Sequence, residues 1–221
     1  MILRSSFTHD KSPEIAAWQR GQAMLEKARH LAHTRSVRTG IYPARHHMTE
    51  SRDGPDAIAQ QIANSAASCG ISLVATLPDG WITPLITRFA SDQRFRHVAV
   101  NREESAIGLC SGAFFSGIGA LALMGASGFL TCVYAITKIN YTYQIPLLIG
   151  ITLRGRLGDS AKFHQSNGLY LEPVIAAIGM PFVPIEQGKH IDRLAGAYRH
   201  SRVMSRPVVV GFTREVLRGE A

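Results

Sequence analysis

Two adjacent carboxylates, Glu103 and Glu104, stand at the start of a long stretch without charge. The surrounding sequence is VNREESAIGLCSG, and residues 105–137 contain no Asp, Glu, Lys or Arg. A carboxylate at this place can complement a helix dipole, flank a membrane span, or act as an acid in a pocket that excludes water. The residues alone leave these three interpretations open.

A second group of reactive side chains follows an apolar run that ends near residue 153. The loop reads RGRLGDSAKFHQ and carries Arg154, Arg156 and Lys162. Such donors suit a small substrate with a sulfonate or phosphonate tail, although a solvated basic loop has the same composition. His164 can move a proton, since histidine as a residue type suits proton transfer near neutral pH, or it is incidental to the chemistry.

Alternating apolar runs and helical patterns must position these residues. Short strand-like runs occupy 71–77, 97–101, 120–125, 146–153, 181–185 and 207–212. Helical patterns occupy 55–68, 82–90, 103–115, 128–143, 170–179 and 190–203. This alternation predicts an α/β fold in which a six-stranded, mostly parallel sheet carries helices on both faces. Ligands of such sheets bind beyond the carboxyl ends of the strands, and Glu103 directly follows one of them.

The chain divides by composition into a basic N-terminal arm, residues 1–53, and an α/β domain, residues 54–221. Residues 1–47 contain eight Lys or Arg and three Asp or Glu. They therefore carry most of the net charge of +8 of the whole chain. A Ser-Pro-Glu start predicts one helix over 13–33, followed by a linker. The arm lacks zinc-finger spacing and aromatic RNA-binding motifs, so we expect no nucleic-acid partner.

Composition also bears on the compartment. The three cysteines, Cys69, Cys110 and Cys132, are few, odd in number and far apart, which favours buried free thiols in a reducing, cytoplasmic setting. The N-terminus shows no secretory signal pattern. The uncharged stretch is interrupted by glycines and divides into lengths that suit a helix, a strand and a helix, so we expect no membrane span.

Several motifs, taken in order, resemble a known family. NREESAIGLCSGAFFSG resembles the Glu-x-x-(Ala/Gly) helix in the pyrimidine-binding domain of thiamine diphosphate-dependent enzymes. The stretch is most similar to the alpha subunit of sulfopyruvate decarboxylase and to the matching half of phosphonopyruvate decarboxylase. ATLPDGWITPLI, LMGASG and IPLLIGITLRG agree in the same order. The resemblance covers roughly residues 55–215.

The resemblance implies roles for particular residues. In this family the glutamate hydrogen-bonds N1′ of the aminopyrimidine and so promotes loss of the proton from thiazolium C2, which implies that role for Glu103. Glu104 is then structural or faces solvent. Pro78 and Asp79 occupy the cofactor-adjacent turn, although Asp also suits a turn by itself. Ser127 and Gly128 match the cofactor-binding motif after the third strand.

The sequence departs from the family pattern at two places. The family holds Mg²⁺ and the diphosphate with Gly-Asp-Gly and a later Asn, and this chain contains no Gly-Asp-Gly. The resemblance therefore implies a separate beta-type subunit that supplies the metal, together with self-association to at least a dimer. After the third strand, GASGFLT replaces the Gln-Asn-Ser-Gly-Leu-Gly-Asn of the related alpha subunits, which leaves the exact substrate open.

These observations predict one subunit of a thiamine diphosphate-dependent 2-oxo acid decarboxylase. Its substrate would be a small anionic 3-substituted pyruvate of the sulfopyruvate or phosphonopyruvate type. Two alternatives stay open at this point. One is a non-catalytic scaffold or binding protein that keeps the fold, and the other is a basic protein associated with membranes or nucleic acid.

Overall fold

The computed structural model of the chain describes residues 54–221. The arm, with its predicted helix at 13–33, lies outside the described residues, so the division at residue 54 stays a prediction. The first elements are α1 (Pro55–Ser68), β1 (Ile71–Thr76), α2 (Thr83–Ser91), β2 (Arg96–Ala99), α3 (Glu103–Phe115) and β3 (Gly119–Met124). Then follow α4 (Ala126–Thr131), α5 (Val133–Ala135), a π-helix (Ile136–Tyr141) and β4 (Leu147–Thr152).

The last third of the chain continues the alternation. A 3₁₀ turn (Lys162–His164) leads into α6 (Gln165–Ala177), followed by β5 (Phe182–Ile185) and a second 3₁₀ turn (Gly188–His190). The chain then forms α7 (Arg193–Met204), β6 (Pro207–Phe212) and α8 (Arg214–Leu217).

Within residues 54–221, six strands form one sheet in the order β2-β1-β3-β4-β6-β5. Every neighbouring pair is parallel, which confirms the predicted sheet. The inner strands β3, β4 and β6 are buried along their whole length, as expected for apolar runs covered on both sides. The chain leaves β1 and β3 toward opposite edges of the sheet, and ligands of such sheets bind beyond the carboxyl ends of these two strands.

Two hydrophobic clusters lie on opposite faces of this sheet. Along β6, Val208 and Val210 pack into one cluster, while Val209 between them packs into the other. The first cluster includes residues of α1, α2 and α7, and the second includes residues of α3, α4 and α6. Successive strand residues point to opposite faces, so the prediction of helices on both faces is confirmed.

Two predicted helices are present but differ from the prediction in their bounds or continuity. α6 begins at Gln165 rather than near 170 and so includes Gly168. The Gly168 Cα lies against the Gly155 carbonyl, where a Cβ would overlap. The single helix predicted over 128–143 is divided into α4, α5 and the π-helix. In the π-helix, the buried Asn140 side chain donates to Ser111 Oγ at 2.9 Å and to the Ile145 carbonyl at 3.2 Å.

The uncharged stretch 105–137 is distributed over α3, β3, α4 and α5 with the start of the π-helix. Among the described helices, none is both long and apolar enough to cross a bilayer.

Candidate active site

Chemically reactive side chains collect at the carboxyl edge of the sheet. Asp79 follows β1, Glu103 follows β2, the Gly125–Gly128 turn follows β3, and Arg154 follows β4. Because all strands run in the same direction, their carboxyl ends share one edge. The structure therefore brings together residues that are far apart in sequence.

Glu103 is the first residue of α3 and is half-buried. Its carboxyl group lies against Gly128 in α4, where a Cβ would overlap Oε1, Cδ and Cγ. Within residues 54–221 Glu103 has no hydrogen-bond or ion-pair partner. The Glu103 carboxyl group thus packs against the backbone of α4 and forms no hydrogen bond or ion pair with the described residues.

Glu104 differs from its neighbour in having a charged partner. Its Oε2 pairs with Arg102 Nε at 3.4 Å, and its side chain is 33% exposed. A hydrogen bond from its own backbone amide lowers the pKa of Glu104, and Arg102 acts in the same direction. The Glu104 carboxylate is therefore already engaged with a surface cation.

The two glycines of the GASG motif, Gly125 and Gly128, each pack against a different carboxylate. Gly128 touches Glu103, and one helical turn earlier Gly125 touches Asp79, whose Oδ2 would lie 2.6 Å from an added Cβ. Asp79 Oδ1 also accepts a hydrogen bond from the Trp81 amide at 2.9 Å, so Asp79 both forms its turn and enters the site. Pro78, directly before it, is exposed.

Arg154 joins Asp79 to His164. Its Nη2 lies 2.5 Å from Asp79 Oδ2, and its Nη1 lies 2.5 Å from His164 Nε2. On the other side of the ring, His164 Nδ1 lies 2.7 Å from Asp159 Oδ2. The structure thus links Asp79, Arg154, His164 and Asp159 in one chain of contacts, which we call the Asp79–Asp159 network.

Asp159 was not among the residues singled out from the sequence. Burial raises its pKa, but hydrogen bonds from the Gly155 and Ala161 amides and from His164 outweigh burial, so the pKa lies below its ordinary value. Asp159 is therefore an ionised acceptor at neutral pH. An Asp directly after Gly158 in a loop was the only sequence signal for this role.

The other two cations of the loop have different surroundings. Arg156 pairs with Glu172 of α6 at 2.6 Å and with Glu186 after β5 at 2.5 Å. Lys162 is exposed, and it forms no ion pair within the described part of the chain. Of the three predicted substrate-binding cations, Lys162 is thus the one with its charge uncompensated by a neighbour.

Ser127 has a partner that the sequence did not reveal. Its hydroxyl donates to Oδ1 of Asn167 at 3.2 Å, and Asn167 in α6 is only 3% exposed. An amide side chain therefore stands beside the first turn of α4, although it comes from an element 40 residues later.

The cysteines are free thiols, as expected, and Cys110 and Cys132 are buried. Burial raises the pKa of Cys132 to about 12, and the charges of Glu104 and Glu103 act in the same direction. The Cys132 thiol is therefore uncharged at neutral pH and lies close enough to Glu103 to respond to its charge. In the described part of the chain, no three His, Cys, Asp or Glu side chains are grouped as a metal site.

Known proteins provide an independent comparison. The chain is 27% identical over 154 residues to sulfopyruvate decarboxylase subunit alpha of Methanocaldococcus jannaschii, covering 68% of this chain and 90% of that subunit. It is 30% identical over 101 residues to phosphonopyruvate decarboxylase of Streptomyces viridochromogenes, covering 46% and 25% of the two chains. The resemblance predicted from the motifs is confirmed. Both relatives are decarboxylases by name, and no family model matches the chain.

The fold has a counterpart among solved structures. 2-Oxoglutarate:ferredoxin oxidoreductase from Magnetococcus marinus superposes with a TM-score of 0.58 at 14% identity. The match covers 94% of this chain but only 37% of that one. At this identity the likeness supports the fold class.

Proposed function

We propose that this chain is the alpha-type, pyrimidine-binding subunit of a thiamine diphosphate-dependent 2-oxo acid decarboxylase. The observation that carries the proposal is the Glu103 carboxyl group, fixed against Gly128 at the carboxyl edge of the sheet and without a partner in the described residues. Similarity to sulfopyruvate and phosphonopyruvate decarboxylases supports this assignment.

Glu103 would hold the aminopyrimidine of thiamine diphosphate through one hydrogen bond from its carboxyl group. When bound, the cofactor supplies the electron sink for loss of carbon dioxide. Gly128 lets the carboxyl group lie close to the backbone of α4, and Cys132 contributes an uncharged neighbour. Pro78, Asp79 and Ser127 would line the same end of the site, with Asp79 held in its turn by the Trp81 amide.

The diphosphate end of the site is assigned to a partner. The sequence contains no Gly-Asp-Gly, so Mg²⁺ and the diphosphate would be held by a beta-type subunit. The relative from Methanocaldococcus jannaschii is itself named subunit alpha. The match covers only 25% of the phosphonopyruvate decarboxylase chain, so most of that relative lies outside the matched region. Three free thiols fit a cytoplasmic assembly.

One face of α3 is suited to contact between subunits. Gly108, Leu109, Gly112 and Phe115 are exposed at helical spacing, and Phe115 is 72% exposed. Exposed apolar side chains beside glycines allow close packing of another helix. We assign this α3 face to self-association into at least a dimer. Contact here would place a neighbouring subunit beside the helix that begins with Glu103.

The substrate end would be provided by the loop after β4. Lys162 is the exposed cation available to the sulfonate or phosphonate tail of a 3-substituted pyruvate. Arg156 is already paired with two glutamates, so it would contribute mainly through its electrostatic field. Arg154, held within the Asp79–Asp159 network, would direct the positive charge of its guanidinium toward the anionic tail of the substrate.

Calorimetry tests whether the cofactor site is divided between this chain and a beta-type subunit or is complete in this chain. The isolated chain is expected to bind thiamine diphosphate with Mg²⁺ weakly and to show no decarboxylation. Addition of a beta-type chain, one that carries Gly-Asp-Gly followed by Asn, should produce tight binding and turnover. Tight binding and full turnover by the isolated chain would overturn the partition of the site.

Substitution of the two glutamates tests the role of Glu103. Glu103→Gln keeps the shape and removes the acid, so activity of the assembled enzyme should fall about a hundredfold or more. Glu104→Gln removes only a surface pair with Arg102 and should be mild. Circular dichroism checks that both variants are folded. Equal losses in the two variants, or no loss in either, would contradict the assignment and favour a non-catalytic scaffold.

A further inference from the structure

The His164 side chain has no ring nitrogen left for a substrate. Its side chain is 7% exposed, Nδ1 faces Asp159, and Nε2 faces Arg154. The imidazole ring also packs against Trp81 and Phe163 in T-shaped arrangements, at centroid distances of 5.5 Å and 4.3 Å. A group that moves a proton to or from substrate needs a free nitrogen within hydrogen-bond reach. His164 offers none in this arrangement.

The partners fix which nitrogen carries the hydrogen. An ionised Asp159 carboxylate can only accept, so the ring donates from Nδ1. Asp159 is itself oriented by the Gly155 amide at 2.9 Å and the Ala161 amide at 3.1 Å. The Arg154 guanidinium can only donate, so Nε2 must accept. Both contacts are satisfied together by the neutral Nδ1–H tautomer.

Arg154 is in turn held on three sides. Nη1 donates to His164, Nη2 donates to Asp79, and the guanidinium carbon lies 5.0 Å from the Trp81 ring centroid. Asp79 lies directly against Gly125 of the GASG turn. A shift of the imidazole would therefore remove one of the contacts that fix the guanidinium, and with it the orientation of the hydrogen bond from Arg154 to Asp79 Oδ2.

We infer that His164 is a positioning residue, oriented by Asp159, which fixes the Arg154 guanidinium against Asp79 and so sets the shape of the anion-binding end of the site. The expected effect of His164 on KM rests on the proposed decarboxylase function. The tautomer and the clamp on Arg154 are properties of the chain by itself, whatever reaction it serves.

Nuclear magnetic resonance on the full chain tests the tautomer without any activity. Two-bond correlations of the imidazole nitrogens, assigned by comparison with His164→Gln, should show Nδ1 protonated and Nε2 unprotonated at neutral pH. Observation of the Nε2–H tautomer, or of a ring in free exchange between tautomers, would overturn the inference. This result is independent of whether the chain is a decarboxylase subunit.

Two amide substitutions separate positioning from proton transfer. In His164→Gln the amide oxygen lies near the position of Nε2 and can accept from Arg154. In His164→Asn the amide lies near Nδ1 and can contact only Asp159. With the beta-type chain present, His164→Asn should raise KM for the anionic substrate about tenfold, as for loss of one hydrogen bond to a charged group, with kcat nearly unchanged. His164→Gln should keep KM within about threefold, because it retains that bond.

His200→Gln, an exposed position on α7, provides the matched control and should behave as the unaltered chain does. Loss of kcat by about a hundredfold in both His164 variants would indicate proton transfer and overturn the inference. Equal KM values in the two variants would also overturn it. If the unaltered assembly shows no turnover, the proposed function fails, and the resonance measurement alone decides the role of His164.

Discussion

Addition of one methyl group at Gly128 is expected to disturb Glu103 directly. Gly128 lies inside α4, and its φ is not in the left-handed region, so the backbone itself accepts alanine. A Cβ at this position would overlap three atoms of the Glu103 side chain. The outcome of Gly128→Ala therefore depends on whether the carboxyl group moves.

Two opposing effects determine how much Gly128→Ala changes the free energy of unfolding. Replacement of glycine by alanine in a helix stabilises it by about 1 kcal/mol. Insertion of a methyl group into an occupied space costs about 1–3 kcal/mol. We therefore expect Gly128→Ala to destabilise the chain by roughly 0–2 kcal/mol. In a Glu103→Ala background the overlap disappears, and the same substitution should stabilise by up to about 1 kcal/mol.

Urea unfolding of the four chains in this double-mutant cycle gives the coupling free energy, expected at about 1–3 kcal/mol. Gly196→Ala is the matched control, because Gly196 is inside α7 with nothing within 4 Å of an added Cβ. It should stabilise by about 1 kcal/mol in both backgrounds. A coupling below about 0.5 kcal/mol, the usual limit of additivity, would refute the contact between Glu103 and Gly128.

Three further predictions concern stability and assembly. Asp92 is 6% exposed between Arg94 and Arg88, at 2.6 Å and 3.2 Å, and hydrogen bonds from Arg94 hold its pKa well below the ordinary value. The stability it contributes is present above about pH 4 and is lost as pH falls through the folded pKa. Asp92→Asn should therefore lower the free energy of unfolding by about 1–3 kcal/mol at pH 7. Below about pH 4 the unfolding free energy of the variant should fall less steeply with pH than that of the unaltered chain. Equal slopes for the two proteins would contradict this. Gly112→Ala should stabilise α3 by about 0.5–1 kcal/mol yet weaken self-association in analytical ultracentrifugation, and unchanged association would exclude the α3 face. Removal of residues 1–47 should leave the thermal transition largely intact, whereas loss of solubility or assembly would show that the arm is structural.

The order of strands and helices along the chain follows from the sequence alone. Runs such as LLIGIT in β4 and PVVVGF in β6 are apolar throughout, which indicates strands covered on both faces. The position of Glu103 at the start of α3 was also predictable, because the apolar run before it ends near Asn101 and a small-residue helix follows. Both features depend on neighbours within a few residues.

Local patterns were insufficient where a distant backbone decides the conformation. Gly168 has the sequence signature of a loop, yet it is helical, and the Gly155 carbonyl packs against it where only glycine fits. The division of the predicted 128–143 helix is likewise accompanied by hydrogen bonds from Asn140 to Ser111, 29 residues earlier. A helix former or breaker expresses only a weak preference, and tertiary contacts override it.

The pairings within the candidate site were decided by the tertiary structure. Asp79 and Arg154 are 75 residues apart, and Ser127 and Asn167 are 40 apart, yet each pair is in contact. These contacts depend on the strand order β2-β1-β3-β4-β6-β5. Hydrophobic periodicity does not encode that order, because the inner strands are apolar on both faces and any of them could occupy a central position. Only the folded sheet determines which loops share its carboxyl edge, and therefore which carboxylate each glycine of GASG must accommodate.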